Sequence, residues 1–154
     1  MKIDYKQDKI IVYLKKEILG SIDFANVESL EKYLKDLIIK LKNIYYIDIK
    51  GFYNIKVYID SIYGAILELD AEDLDYGDYF NQIEMRIIPI YTIFLYRVED
   101  YLSICGKIYS YKNNIYLKLN ENISYKDYIK VMDYAEIVYN NTDNILNFGK
   151  ELSF

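Results

Sequence analysis

Residues 51–70 read GFYNIKVYIDSIYGAILELD, and this stretch decides the fold. Over 52–60, Tyr53, Ile55, Val57 and Ile59 fall on one face of an extended chain, and Asn54, Lys56, Tyr58 and Asp60 on the other. That is the period-two pattern of a strand. Ser61-Ile62-Tyr63-Gly64 follows as a turn, with Gly64 able to take positive φ. A second strand over 65–70 sets Ala65, Leu67 and Leu69 against Ile66, Glu68 and Asp70. So short a connection forces antiparallel pairing, because a parallel pair needs a crossover of about a dozen residues or more.

The flanks repeat this grammar. Upstream, 2–6 and 9–15 read as a short strand and a longer one, the latter alternating Ile10, Val12 and Leu14 with Ile11, Tyr13 and Lys15. A connection over 20–26 leads to an amphipathic helix from about Val27 to Lys42. Its apolar stripe is Val27, Leu30, Leu34, Leu37, Ile38 and Leu41, with Asn26 placed as N-cap and Glu28 in the first turn. The pairs Glu28–Lys32, Glu31–Lys35 and Asp36–Lys40 put the acid first at i,i+4, each contributing about 0.3 kcal/mol on a solvated face.

Downstream, a strand is expected over 83–88, and Pro89, the sole proline, stands where the pattern restarts. A strand over 91–97 leads into a helical turn around 98–104. A second hairpin pairs 107–111 with 115–119 through Lys112, Asn113 and Asn114, asparagine being tolerant of left-handed backbone. Ser124 reads as an N-cap with Asp127 three residues on, opening a helix to about Tyr134 with Tyr125, Ile129 and Met132 on one face. A strand over 136–139 and a terminal helix over 143–152 close the chain. Helices and antiparallel hairpins alternate without a βαβ rhythm, so the class is α+β, in two loosely similar halves, 1–88 and 89–154.

Composition narrows the chemistry. The 154 residues are enough for one ordinary domain or two very small ones. A hydrophobic share of 53% against 28% charged argues for a packed core rather than a disordered chain. The net charge of -5 argues against a nucleic-acid binder, whose affinity rests on basic groups neutralising phosphates. Aromatic rows at Tyr53, Tyr58, Tyr109, Tyr111 and Tyr116 would need a basic groove to stack single-stranded bases, so they are read as packing. Twenty tyrosines beside only Arg86 and Arg97 match the codon bias of an AT-rich genome.

With no histidine, imidazole-dependent triads and the usual zinc ligand are out of reach. The single Cys105 allows no internal disulfide, and before Gly106 it reads as a small buried hydrophobe. The acidic stretch 70–78 looks like a calcium loop until Gly77 is counted. It is the fifth residue from Asp73, whereas that loop needs glycine at the sixth. Adjacent acids such as Glu72–Asp73 and Glu99–Asp100 are the remaining candidates for acid–base work and fit solvated turns better. No cofactor is expected. The charged opening of the chain and the shortness of its apolar runs point to a cytoplasmic protein without a membrane segment.

Three segments carry a resemblance. Ile93-Phe94-Leu95-Tyr96-Arg97-Val98-Glu99-Asp100-Tyr101-Leu102-Ser103 is an apolar strand ending at arginine and followed by acidic-apolar residues. Ile108-Tyr109-Ser110-Tyr111-Lys112-Asn113-Asn114-Ile115-Tyr116-Leu117 reads Tyr-Ser-aromatic, polar turn, aromatic-Leu. Asp133-Tyr134-Ala135 is followed, twelve residues on, by Phe148-Gly149-Lys150. In this order they resemble the C-terminal domain of MecA-type adaptors. Ile3, the strand 10–14, the helix, and Ile49-Lys50-Gly51 leading to Ile55-Lys56-Val57 resemble the N-terminal order of that family more loosely.

The resemblance implies a non-enzymatic adaptor. Its second half would dock on a ClpC-type AAA+ unfoldase, and its first would hold a protein substrate such as a competence transcription factor. The residues it puts forward for partner binding are Tyr109, Tyr111, Tyr116, Tyr134, Ala135, Phe148, Gly149 and Lys150. The chain departs from the family in lacking the extended charged linker, of which only 70–78 gives a hint. Two readings stand beside the adaptor. One is a small regulatory protein, of phage or sporulation type, that sequesters a different partner; the other is an enzyme working through carboxylates. Homodimerisation is left open.

Overall fold

The computed structural model describes residues 1–6, 9–20, 22, 26–46, 51–73, 83–99 and 106–153. The fold is α+β, built on two five-stranded sheets. The strands are β1 (Lys2–Lys6), β2 (Lys9–Lys15), β3 (Gly51–Asp60), β4 (Gly64–Asp73), β5 (Ile83–Tyr91), β6 (Leu95–Val98), β7 (Gly106–Tyr111), β8 (Asn114–Leu119), β9 (Glu136–Val138) and β10 (Lys150–Leu152). Among the described residues the helices are α1 (Lys16–Leu19), α2 (Val27–Ile44), α3 (Tyr125–Tyr134) and α4 (Thr142–Phe148). Among the described residues no helix is long and apolar enough to cross a membrane. The chain divides into two compact units, Met1–Val57 with Gly64–Ile90, and Tyr58–Tyr63 with Tyr91–Phe154.

The first sheet has the order β1-β2-β4-β3-β5, with β1–β2 and β2–β4 antiparallel. In β4, Ala65, Ile66, Leu67, Glu68 and Leu69 are all buried, so this central strand is covered on both faces. Gly64 holds the start of β4 at φ 124°, and a Cβ there would stand 2.5 Å from the Leu14 carbonyl oxygen. Only glycine meets both demands. Leu30, Leu34, Leu37, Ile38 and Leu41 of α2 are buried as the helical spacing predicts. The Asn26 side chain accepts from the N–H groups of Glu28 (3.0 Å) and Ser29 (3.3 Å), giving two otherwise unpaired helix donors a partner. On the solvated face, Glu31 and Lys35 form an ion pair at 3.1 Å. Pro89 lies inside β5. β5 is an edge strand, where every other N–H points away from the sheet and proline is tolerated.

The second sheet has the order β10-β7-β8-β6-β9, with all four neighbouring pairs antiparallel. Lys112 (φ 46°) and Asn113 (φ 65°) form the two-residue turn between β7 and β8, with Tyr111 opposite Asn114. Two successive positive φ values are the signature of a type I′ hairpin. On one sheet face Leu95, Tyr109 and Tyr116 form a buried cluster with Ile145 of α4, and Tyr111, Val138 and Leu146 pack half-buried against it. On the other, Tyr96, Ile108 and Leu117 are buried. Ser124 caps α3 by accepting from the Asp127 N–H at 3.2 Å. The helix buries Tyr128 and Val131, while Tyr125 of the expected face is 71% exposed.

Two expectations give way here. The terminal helix stops at Phe148, and 150–152 becomes β10, pairing with β7 (Glu151 opposite Tyr109). The strand expected over 91–97 begins only at Leu95, since β5 runs on to Tyr91. Val98, the start of the expected helical turn over 98–104, ends β6 instead, while 100–104, most of the acidic stretch 70–78 and Cys105 lie outside the described residues.

The hairpin tip Tyr58–Tyr63 belongs to the second unit. The Asp60 carboxylate is its anchor. One oxygen accepts from the N–H groups of Ile62 (2.9 Å) and Tyr63 (2.8 Å), closing the turn, and the other accepts from Phe94 N–H (2.9 Å). Thr92 N–H donates to the Ile59 carbonyl at 3.0 Å. The rings of Tyr58 and Tyr139 meet edge to face at 4.9 Å, and Tyr63 and Phe94 lie 5.7 Å apart. This changes which face of β3 is inside. Tyr53, Ile55 and Val57 are buried as the alternation predicts, but Tyr58 and Asp60 of the opposite set are buried as well.

Candidate functional site

The antiparallel ladder fixes where the sequence-predicted residues stand. β9 and β10 both run against their neighbours, β6 and β7, which share one direction through β8. The residues preceding each edge strand therefore arrive at the same end of the second sheet. Lys150 stands opposite Ser110, Ser110 opposite Ile115, and Ile115 opposite Val98. Just beyond that row come Gly149 and Phe148 on the β10 side, the Lys112–Asn113 turn in the middle, and Ala135 and Tyr134 on the β9 side. The motifs twelve residues apart in sequence are thus four strand spacings apart, about 19 Å. They share an end of the sheet without touching.

Their exposures separate them. Tyr134 is 79% exposed and Phe148 76% exposed, each at the last residue of its helix. Lys150 is exposed and Tyr111 half-buried, with the Lys112 ammonium 5.2 Å from the centre of its ring. Tyr109 and Tyr116 are buried in the cluster capped by Ile145, so they are core and present no surface to a partner. Ala135 and Gly149 end their helices, donating N–H to Val131 (2.9 Å) and Ile145 (2.8 Å) carbonyls. A Cβ on Gly149 would stand 2.4 Å from that Ile145 oxygen, so glycine is demanded there by packing.

At the ends of β8, β6 and β9 lies a groove of about 380 Å³, lined by Arg97, Val98, Glu99, Asn114, Tyr134 and Glu136. Arg97 and Glu136 sit opposite each other in the ladder, and the Arg97 guanidinium donates to the Glu136 carboxylate. Of these six, only Tyr134 is a binding candidate on sequence grounds. Arg97 and Glu136 are 39 residues apart, and only the β6–β9 register brings them together.

A second feature invisible in the sequence is Tyr96. It is 1% exposed, and its hydroxyl has no hydrogen-bond partner among the described residues. Burial, and then the neighbouring Asp60, Tyr128 and Tyr63, push its ionisation well above that of a free phenol. Among the described residues no three His, Cys, Asp or Glu side chains come close enough to hold a metal ion.

Comparison with protein-family models, with curated proteins and with solved structures gives no match to this chain.

Proposed function

We propose that the chain is a non-enzymatic adaptor that works by protein–protein contact, delivering a protein substrate to a ClpC-type AAA+ unfoldase. The end of the second sheet is its docking surface. The observation that carries this reading is the exposure of Tyr134 and Phe148, at 79% and 76%, on one end of one sheet. Large aromatic side chains left in water at helix ends gain from burial against a partner, and aromatics are enriched at interface centres. The resemblance to MecA-type adaptors supplies the identity of the partner.

The test is the ATPase rate and hexamer assembly of the source organism's ClpC-type unfoldase, with and without the chain. Stimulation that falls about tenfold or more in Tyr134→Ala/Phe148→Ala supports the reading, as expected for two interface aromatics. Absence of both stimulation and binding at tens of micromolar sinks it and leaves sequestration of a different partner as the next reading to test by pull-down.

A further inference from the structure

We propose that the groove beside β9 seats a lysine or arginine side chain of an extended partner segment, which adds as a strand to the outer edge of β9. This rests on the docking reading above and names the chemistry of the segment that docks.

The charge of the groove chooses the ligand. Among the described residues its lining has one cation, Arg97, and two carboxylates, Glu99 and Glu136. Arg97 is already engaged by Glu136, so it offers little to an incoming anion. Glu99 is exposed and forms no ion pair among the described residues. One positive and two negative groups give the described lining a net charge of -1, in a chain of net charge -5. The rim adds the Tyr134 ring, 79% exposed. A carboxylate beside an open aromatic face is a recognition pair for ammonium and guanidinium groups.

The edge supplies the rest. β9 is the last strand of its sheet, so its outer backbone groups have no ladder partner among the described residues. An added strand would bond to that edge, and its alternate side chains would fall on the face of Glu136, one of the residues that line the groove. Main-chain bonds then supply affinity independent of sequence, and the groove supplies the preference for a basic residue.

The experiment uses the full chain and two fluorescein-labelled nonapeptides of alternating valine and charged residues, one carrying lysines and the other glutamates at the same positions. Fluorescence anisotropy at low salt is expected to give saturable binding of the lysine peptide, about tenfold tighter than the glutamate peptide. Glu99→Gln/Glu136→Gln, which leaves Arg97 as the only charge among the described lining residues, is expected to remove that preference. Tyr125→Ala, exposed on α3 outside the groove, is expected to keep it. Circular dichroism confirms that each variant is folded. Equal binding of the two peptides, an unchanged preference in the double variant, or no saturable binding overturns the proposal. If unfoldase stimulation persists while peptide preference is absent, this inference alone fails. If peptide preference holds and stimulation is absent, the adaptor reading fails and the groove stands.

Discussion

Asp60 and Tyr96 show two ways a buried polar group is tolerated. Asp60 is 8% exposed and places both carboxylate oxygens on backbone N–H donors, three bonds in all at 2.8–2.9 Å. Charge-assisted bonds of this kind offset desolvation of the carboxylate. Tyr96 instead leaves its hydroxyl without a partner among the described residues, at 1% exposure. Removing an unpaired buried hydroxyl relieves desolvation, so Tyr96→Phe is expected to be as stable as the parent chain at neutral pH, or about 1 kcal/mol more stable. The pH dependence has a definite sign. A tyrosine in the unfolded chain ionises near pH 10, at about its reference value. Burial holds Tyr96 neutral beyond that point in the folded chain. Its ionisation therefore leaves stability unchanged below about pH 10 and lowers it above, by at most about 1.4 kcal/mol per pH unit. Urea unfolding across this range is expected to show a shallower decline for Tyr96→Phe than for the parent. A loss of more than about 1 kcal/mol at neutral pH would mean that the hydroxyl has a bonding partner after all.

At the scale of elements, the parts governed by local chemistry are the parts legible in the sequence. The α2 stripe, the Asn26 and Ser124 caps and the β7–β8 hairpin each depend on residues within a few positions of one another. β10 does not. Residues 150–152 continue a helical pattern on paper, but Gly149 ends α4 and the ladder to β7 captures the three residues after it. That outcome depends on Ser110 and Tyr109, some forty positions away, which no local reading weighs. The burial of Tyr109 and Tyr116 is hidden from the sequence for the same reason, since α4 covers their face of the sheet. The Asn26 cap gives a direct check on local chemistry. Asn26→Ala leaves the Glu28 and Ser29 N–H groups without their side-chain acceptor and is expected to lower stability by about 1 kcal/mol. Thermal melts read this as a drop of a few degrees. An unchanged midpoint would show that solvent replaces the cap without cost.

At the scale of the whole molecule, the chain passes between its two units at 57/58, 63/64 and 90/91, so the second unit is not continuous in sequence. Periodicity could not reveal this, because a hairpin tip looks the same whichever unit it joins. A fragment spanning 91–154 would keep the second sheet but lose Tyr58–Tyr63. Phe94 N–H would then lose the Asp60 carboxylate, Thr92 N–H would lose the Ile59 carbonyl, and Phe94 and Tyr139 would lose ring contacts with Tyr63 and Tyr58. Each lost buried bond costs about 1–3 kcal/mol, a large share of the few kcal/mol a domain this small commands. The fragment is therefore expected to keep strand signal in far-ultraviolet circular dichroism but lose near-ultraviolet signal, melt without a cooperative step and bind an apolar dye, as a loosely packed state does. The full chain should melt cooperatively under the same conditions. A cooperative melt of the fragment at the midpoint of the full chain would show that the tip is dispensable and that residues 91–154 hold together without it.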